Sequence, residues 1–209
     1  MKPSRKNLPR KLPTQERSQA RVQRILEAAA DVVEKVGYEA ATTNEIAARA
    51  GTSIGSLYQF FPNKAALMHA LALGYMEELK GLFAKAVPTD AKDLSWPRVV
   101  EDVVDTFAEF HRTRKGFKAV WFGGHVSPEL LATAFQCGND IALSAGFLIE
   151  AVAPQVDPER RLLVARVATE IVGALLVLSS LEKRKALADR FVAEAKTAAV
   201  AYLEKALSL

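Results

Sequence analysis

Apolar residues return every three or four positions from Val22 to Val36, through Ile25, Leu26, Ala29, Val32 and Val33, with polar and charged residues between them. That spacing is one stripe of an amphipathic helix, and it predicts a helix from about Arg17 that Gly37 ends as a left-handed cap. The pattern then shortens. Ile46, Ala47 and Ala50 give a brief inward side that Thr42 or Thr43 opens, Thr42 and Glu45 having capping-box spacing, and Gly51 closes. Ser53 caps a second brief helix that runs to about Phe61, where Pro62 blocks continuation. Asn63 restarts the chain, and Leu67, Leu71, Tyr75 and Leu79 mark one side of a longer helix.

Beyond Pro88 the punctuation stays helical. Ser95 precedes an apolar-periodic segment with Val99, Val103, Phe107 and Phe110. Ser127-Pro128-Glu129 and Asp157-Pro158-Glu159 each combine an N-cap, a proline at the first helical position and an acidic first turn. Further helices are predicted near 96–113, 115–124, 128–152, 158–181 and 186–207. No segment sustains strand alternation, so the fold class is all-α. The expected division is a flexible basic arm over 1–16, broken by Pro3, Pro9 and Pro13, then a helix-turn-helix domain over 17–62 and a helical ligand-binding and dimerisation domain over 63–209. The most apolar run, IVGALLVLSSL at 171–181, falls short of the ~20 residues that cross a bilayer and is expected to be a buried helix with no membrane partner.

Charge sharpens this picture. Net charge is only +4 over 209 residues, but the first 24 hold Lys2, Arg5, Lys6, Arg10, Lys11, Arg17, Arg21 and Arg24 against Glu16 alone. A basic front on a mildly acidic body points to a polyanion met from one side. The single cysteine, Cys137, forms no internal disulfide and fits a reducing cytoplasm, and the basic N-terminus lacks the apolar run of an export signal.

Two helices too short to persist alone, joined at Gly51, have the layout of a helix-turn-helix. Such a unit holds when other helices pack behind it, and its second helix can enter the major groove of DNA. Leu57 and Phe61, four residues apart, are expected to point inward at Ile46, which leaves Gly55, Ser56 and Gln59 toward solvent. The two small residues permit close approach, Gln59 can pair with adenine, Ser56 can donate or accept, and Ile54 can touch a thymine methyl. The hydroxyls of Thr43 and Tyr58 and the ammonium of Lys64 suit phosphate oxygens.

The stretch TTNEIAARAGTSIGSLYQFFPNKAALMHAL, with RILEAAADVVEKVGYEAATT before it, resembles the DNA-binding module of TetR-family transcription regulators over about residues 20 to 75. Ala28, Gly37, Tyr38, Thr43, Ile46, Ala47, Gly51, Leu57, Tyr58, Phe61, Lys64 and Leu67 all fall in that family's register. The resemblance implies that Thr43, Asn44, Ile54, Gly55, Ser56, Tyr58 and Gln59 face a double-stranded operator and that Lys64 meets a phosphate. Phe60 stands where the family often has Tyr or His, which removes a polar backbone contact that the basic arm could replace. The resemblance further implies a pocket in the C-terminal half and a homodimer through the last two helices, about 158–181 and 186–207. In this reading the helix starting at Lys64 connects the two halves.

The residues themselves allow that pocket. Phe107, Phe110, His111, Phe117, Trp121, Phe122 and His125 cluster in two predicted helices, and 117, 121 and 125 are spaced to share a face. An aromatic cleft with few polar groups suits a small, largely apolar effector. The Gly123-Gly124 pair is placed to break its helix, and Arg166 and Glu170 have the spacing of a helical ion pair. The expected function is a cytoplasmic repressor released from a palindromic operator by such a ligand. The alternative is a DNA-bound factor whose C-terminal half takes a protein partner, which an exposed rather than enclosed aromatic patch would favour. Catalysis has no footing: His69, His111, His125 and Cys137 lack zinc-ligand spacing, Ser127 reads as a cap, and no cofactor or metal is expected.

Overall fold

The structure, a computed structural model, describes residues 16–87, 95–123 and 127–208, and there the expected helices form. They are α1 (Glu16–Ala40), α2 (Thr43–Arg49), α3 (Ile54–Phe60), α4 (Lys64–Ala86), α5 (Trp96–Thr113), α6 (Phe117–Gly123), α7 (Pro128–Val152), α8 (Pro158–Leu181) and α9 (Lys185–Leu207). No strand occurs among the described residues. The basic arm over 1–15, Gly124 and His125 lie outside them, as does the side chain of Phe122.

The punctuation acts largely as the residues suggest. Thr42 and Glu45 form the reciprocal capping box at α2, Ser53 caps α3, and the Asn63 side chain accepts from Ala66 N at the start of α4. Asp157 caps α8 ahead of Pro158. Gly37 interrupts α1 where expected but with a different shape. Its φ of 80° and ψ of 169° are not those of a left-handed helical cap, and a last turn of helix follows it.

Packing divides the chain into two compact units. The first takes the chain through Glu77 together with Arg114–Phe135, so it joins α1–α3 and the first half of α4 to α6 and the start of α7. In it α1 packs on α2 and α6, and α2 on α3. Ile25, Ala29, Val33, Ile46, Leu57, Phe61, Leu67, Met68, Tyr75 and Phe117 fill its core. The second unit takes Glu78–Thr113 and Gln136–Leu209. Its spine is the α8–α9 hairpin with α5 against both, closed around Ala142, Ile149, Ala153, Val164, Ala165, Leu203 and Leu207. Ion pairs join its helices at Lys80–Asp140, Glu150–Arg161 and Asp105–Lys196, and Arg166 pairs with Glu170 as its spacing suggests.

One expectation is overturned in this unit. The run 171–181 is helical but not buried: Leu176 is its only buried residue, and Leu178 and Leu181 are exposed. The apolar stretch also extends further back through Leu162 and Leu163. By length and composition α8 could cross a membrane, its most apolar stretch having a mean hydropathy of 2.0, yet just 17% of that stretch is covered by the described residues. A helix this apolar needs more cover than the described residues of one chain give it.

Candidate nucleic-acid interface

The inner side of the helix-turn-helix is closed: Ile46, Leu57 and Phe61 are each 0% exposed. Because Leu57 and Phe61 are one turn apart, burying them turns the opposite side of α3 outward. There Gly55 and Gln59 are exposed, Tyr58 is 42% exposed, and Ile54 and Ser56 are half-exposed. The Ser53 hydroxyl accepts from Ser56 N at 3.1 Å and donates to Ser56 Oγ at 3.1 Å, which orients Ser56 on the first turn. Asn44 is exposed near the start of α2, and the Thr43 and Tyr58 hydroxyls lie 3.1 Å apart, tying the start of α2 to the outer side of α3. Phe60 is half-buried, its ring 6.5 Å from that of Phe61.

Lys64 is held more firmly than its spacing indicates. Its ammonium donates to the carbonyls of Tyr38 at 3.0 Å and Glu39 at 2.9 Å and lies 5.0 Å from the centre of the Tyr38 ring. It thereby pins the start of α4 to the last turn of α1, with one of its three N–H donors left over. Burial, with the charges of Glu39 and Glu129 adding to it, pushes the Tyr38 phenol above its ordinary range.

A second fastening joins α1, α2 and the turn before α6. Asp31 accepts from Arg49 at 2.7 Å and from Lys115 at 3.1 Å. The hydrogen bond from Arg49, then that from Lys115, holds the Asp31 carboxyl below the usual carboxylate range. Beside it, Gly116 N donates to Glu34 at 2.7 Å. Gly116 has φ +73°, and a Cβ there would lie 2.8 Å from the Ala30 carbonyl oxygen, so only glycine lets this turn rest on α1. Nothing in the apolar pattern marks these contacts, because they join residues as many as 84 positions apart.

Of the aromatic cluster, Phe117 and Trp121 come together in the first unit. Their rings are 5.5 Å apart, Tyr75 meets Phe117 edge-on at 5.6 Å, and all three line an apolar cleft with Ala72, Met76, Leu130 and Thr133. The cleft holds about 470 Å³ including its open mouth. Its polar groups turn to backbone: Tyr75 Oη donates to Lys115 O at 2.6 Å and Thr133 Oγ1 to Glu129 O at 2.9 Å. Phe107, Phe110 and His111 are buried in the second unit, where Phe107 packs 6.5 Å from Phe83. His125 lies outside the described residues. Ala72, Tyr75 and Met76 were missed as lining residues because small and apolar positions on a helix carry no signal beyond core.

Residues 25–71 match the family described as bacterial regulatory proteins, tetR family, and residues 95–203 match a tetracyclin repressor-like C-terminal domain. A TetR-family transcriptional regulator from Streptomyces coelicolor is similar at 29% identity and a TM-score of 0.65, over 90% of this chain and 99% of that one. A transcriptional regulator from Pseudomonas aeruginosa PAO1 shares the fold at 17% identity and a TM-score of 0.70, over 92% and 93%. GusR of Salmonella enterica does so at 18% and 0.68, over 94% and 99%.

Proposed function

Starting from a chain that belongs to the TetR family, and so is a DNA-binding transcription regulator and not an enzyme, we propose that it is a repressor released from its operator by a small, largely apolar ligand. The observation that carries the reading is the division of α3 into a sealed side, Leu57 and Phe61, and an open one, Gly55, Tyr58 and Gln59. The open side has the small residues for close approach and the amide for adenine, while Ser56 and Ile54 flank it with a hydroxyl and a methyl-seeking surface. Thr43 and Tyr58 serve phosphates, as does the third donor of Lys64, and Asn44 faces the duplex beside them.

The uncovered side of α8 supports a homodimer. Leu163, Leu178 and Leu181 share that side with Glu170 and Ala174, and α9 brings the small residues Ala193, Thr197 and Ala201 to its own exposed positions. A second copy covers both through the last two helices. Two recognition helices then reach successive major grooves about 34–36 Å apart on a pseudo-palindromic site in the cytoplasm.

The Tyr75–Phe117–Trp121 cleft is the proposed effector site. Its lining offers mostly carbon, with the aromatic faces of Tyr75, Phe117 and Trp121 around it. Phe107, Phe110 and Phe117 are buried rather than gathered in an exposed patch, which favours a ligand over a protein partner for the C-terminal half. A ligand that binds better to a state with other recognition-helix spacing lowers DNA affinity by that difference in binding energy.

The test is gel retardation of a duplex selected from a random pool. Tyr58→Phe and Lys64→Ala are each expected to weaken binding by about 1–3 kcal/mol, the usual worth of a charged or strong polar contact. Undiminished binding by both, singly and combined, removes the phosphate assignments.

A further inference from the structure

The cleft and the DNA-reading helices belong to one compact unit, and a single turn, Arg114–Gly116, touches the residues of both. On the cleft side, the Lys115 carbonyl receives the Tyr75 hydroxyl at 2.6 Å, and the next aromatic, Phe117, meets the Tyr75 ring edge-on. On the other side, the Gly116 backbone rests on α1, with Glu34 taking its N–H at 2.7 Å. Lys115 reaches Asp31, and Asp31 also holds Arg49, the last residue of α2. Thus two adjacent residues contact the lining of the cleft and, through Asp31, the helix that backs α3.

We propose that the Lys115–Gly116 turn reports occupancy of the cleft to the DNA-reading helices, with Asp31 and Glu34 as the positioning residues that seat it; this rests on reading the cleft as the effector site. A guest that displaces Phe117, or takes the Tyr75 hydroxyl for itself, removes the restraint on the Lys115 carbonyl. The turn cannot absorb that shift locally. Its glycine already stands where a Cβ would lie 2.8 Å from the Ala30 carbonyl oxygen and 2.9 Å from Val33 Cγ2, and close-packed backbone transmits strain rather than damping it. The shift therefore passes to α1 and, along Asp31–Arg49, to the end of α2 just before the Gly51 turn. Neither ion pair needs to be strong for this: Arg49 and Lys115 are largely exposed, and their pairs set direction rather than stability. Positioning by Glu34 carries more weight because the bond it accepts comes from a buried backbone amide.

Linkage is reciprocal, so the same path must carry DNA binding back to the cleft, and no identified ligand is needed to detect it. The chain has two tryptophans, and Trp96→Phe leaves Trp121, in the cleft lining, as the sole reporter. Acrylamide quenching of Trp121 is measured with and without a saturating duplex selected by the protein itself. The expected result is a change in quenching on duplex binding that is lost in Asp31→Ala and Glu34→Ala, while both still retard the duplex. Glu34→Gln, which keeps an acceptor for Gly116 N–H, is expected to restore it. Melting curves on each variant separate lost coupling from lost fold, since a purely structural Glu34 lowers melting yet leaves the Trp121 response intact. A response equal to the parent's in both alanine variants overturns the proposal, and so does a silent Trp121 in a parent that binds duplex. A parent that retards no duplex sinks the DNA reading itself, and this inference falls with it.

Discussion

His69 is buried within the first unit, and its Nδ1 has no hydrogen-bond partner among the described residues. Burial lowers its pKa from the ordinary 6.5, and the negative charge of Glu129 offsets part of that. The unfolded chain therefore takes up a proton that the folded one resists. Its effect on stability follows in sign: nothing is lost above about pH 6.5, and stability erodes as pH falls below that toward the lowered folded value. His69→Gln is expected to flatten urea-unfolding free energy between about pH 6.5 and 5 relative to the parent, and an unchanged slope there contradicts this. Sequence alone weighs His69 with His111, His125 and Cys137 as candidate metal ligands and dismisses it on spacing, because nothing local reports burial. At Tyr58 and Phe61 the sequence is a better guide. Phe61 stands four positions from Leu57 and shares its sealed side, whereas Tyr58 follows Leu57 directly, about 100° further around the helix, and faces out.

At the scale of the element, the two positive-φ turns that hold the reading head in place differ in what surrounds them. Gly51 has φ +62° with nothing within 4 Å of where a Cβ would stand, whereas at Gly116, with φ +73°, a Cβ would meet the backbone of Ala30. Gly51→Ala is expected to cost about 1–2 kcal/mol, the usual penalty for left-handed backbone in a residue with a side chain. Gly116→Ala adds an overpacking cost of roughly 1–3 kcal/mol on top. Urea unfolding of both variants checks the order, and equal losses would mean that α1 yields freely. Helix boundaries were legible almost to the residue, since caps and prolines act within three or four positions of where they stand. The break in α1 was legible in place but not in shape: a glycine says that φ can be positive, and only neighbouring helices choose ψ.

At the scale of the molecule, α8 poses the main question, because its side with Leu163, Leu178 and Leu181 is left exposed by the described residues. Leu163 and Leu178 are 53% and 47% exposed. Leu163→Glu and Leu178→Glu remove no core of the single chain, so helicity by circular dichroism is expected to persist. Sedimentation is expected to show loss of the dimer, and retardation of a two-half-site duplex to weaken at least tenfold, since one recognition helix then binds without its partner. Variants that stay dimeric place the subunit contact elsewhere. Motif and composition divide the chain at 16 and 62, into an arm, a helix-turn-helix domain and a helical domain; contact in space adds a different grouping, in which α6 packs on α1 and takes Phe117 and Trp121 with it. Phe107, Phe110 and His111, neighbours in sequence, stay in the other unit.

What the amino-acid order determined alone is everything carried by short range: nine helices over the described residues, their caps, the inward and outward sides of α2 and α3, and the family those sides belong to. Periodicity and capping depend on neighbours within about one helical turn, so they can be read off a string. The tertiary structure decided which apolar stripes meet, which stripe on α8 is left uncovered, and how Lys64 and Asp31 spend their charges. Those outcomes depend on approach between residues far apart in the chain, where many partners have the right chemistry and only packing selects one.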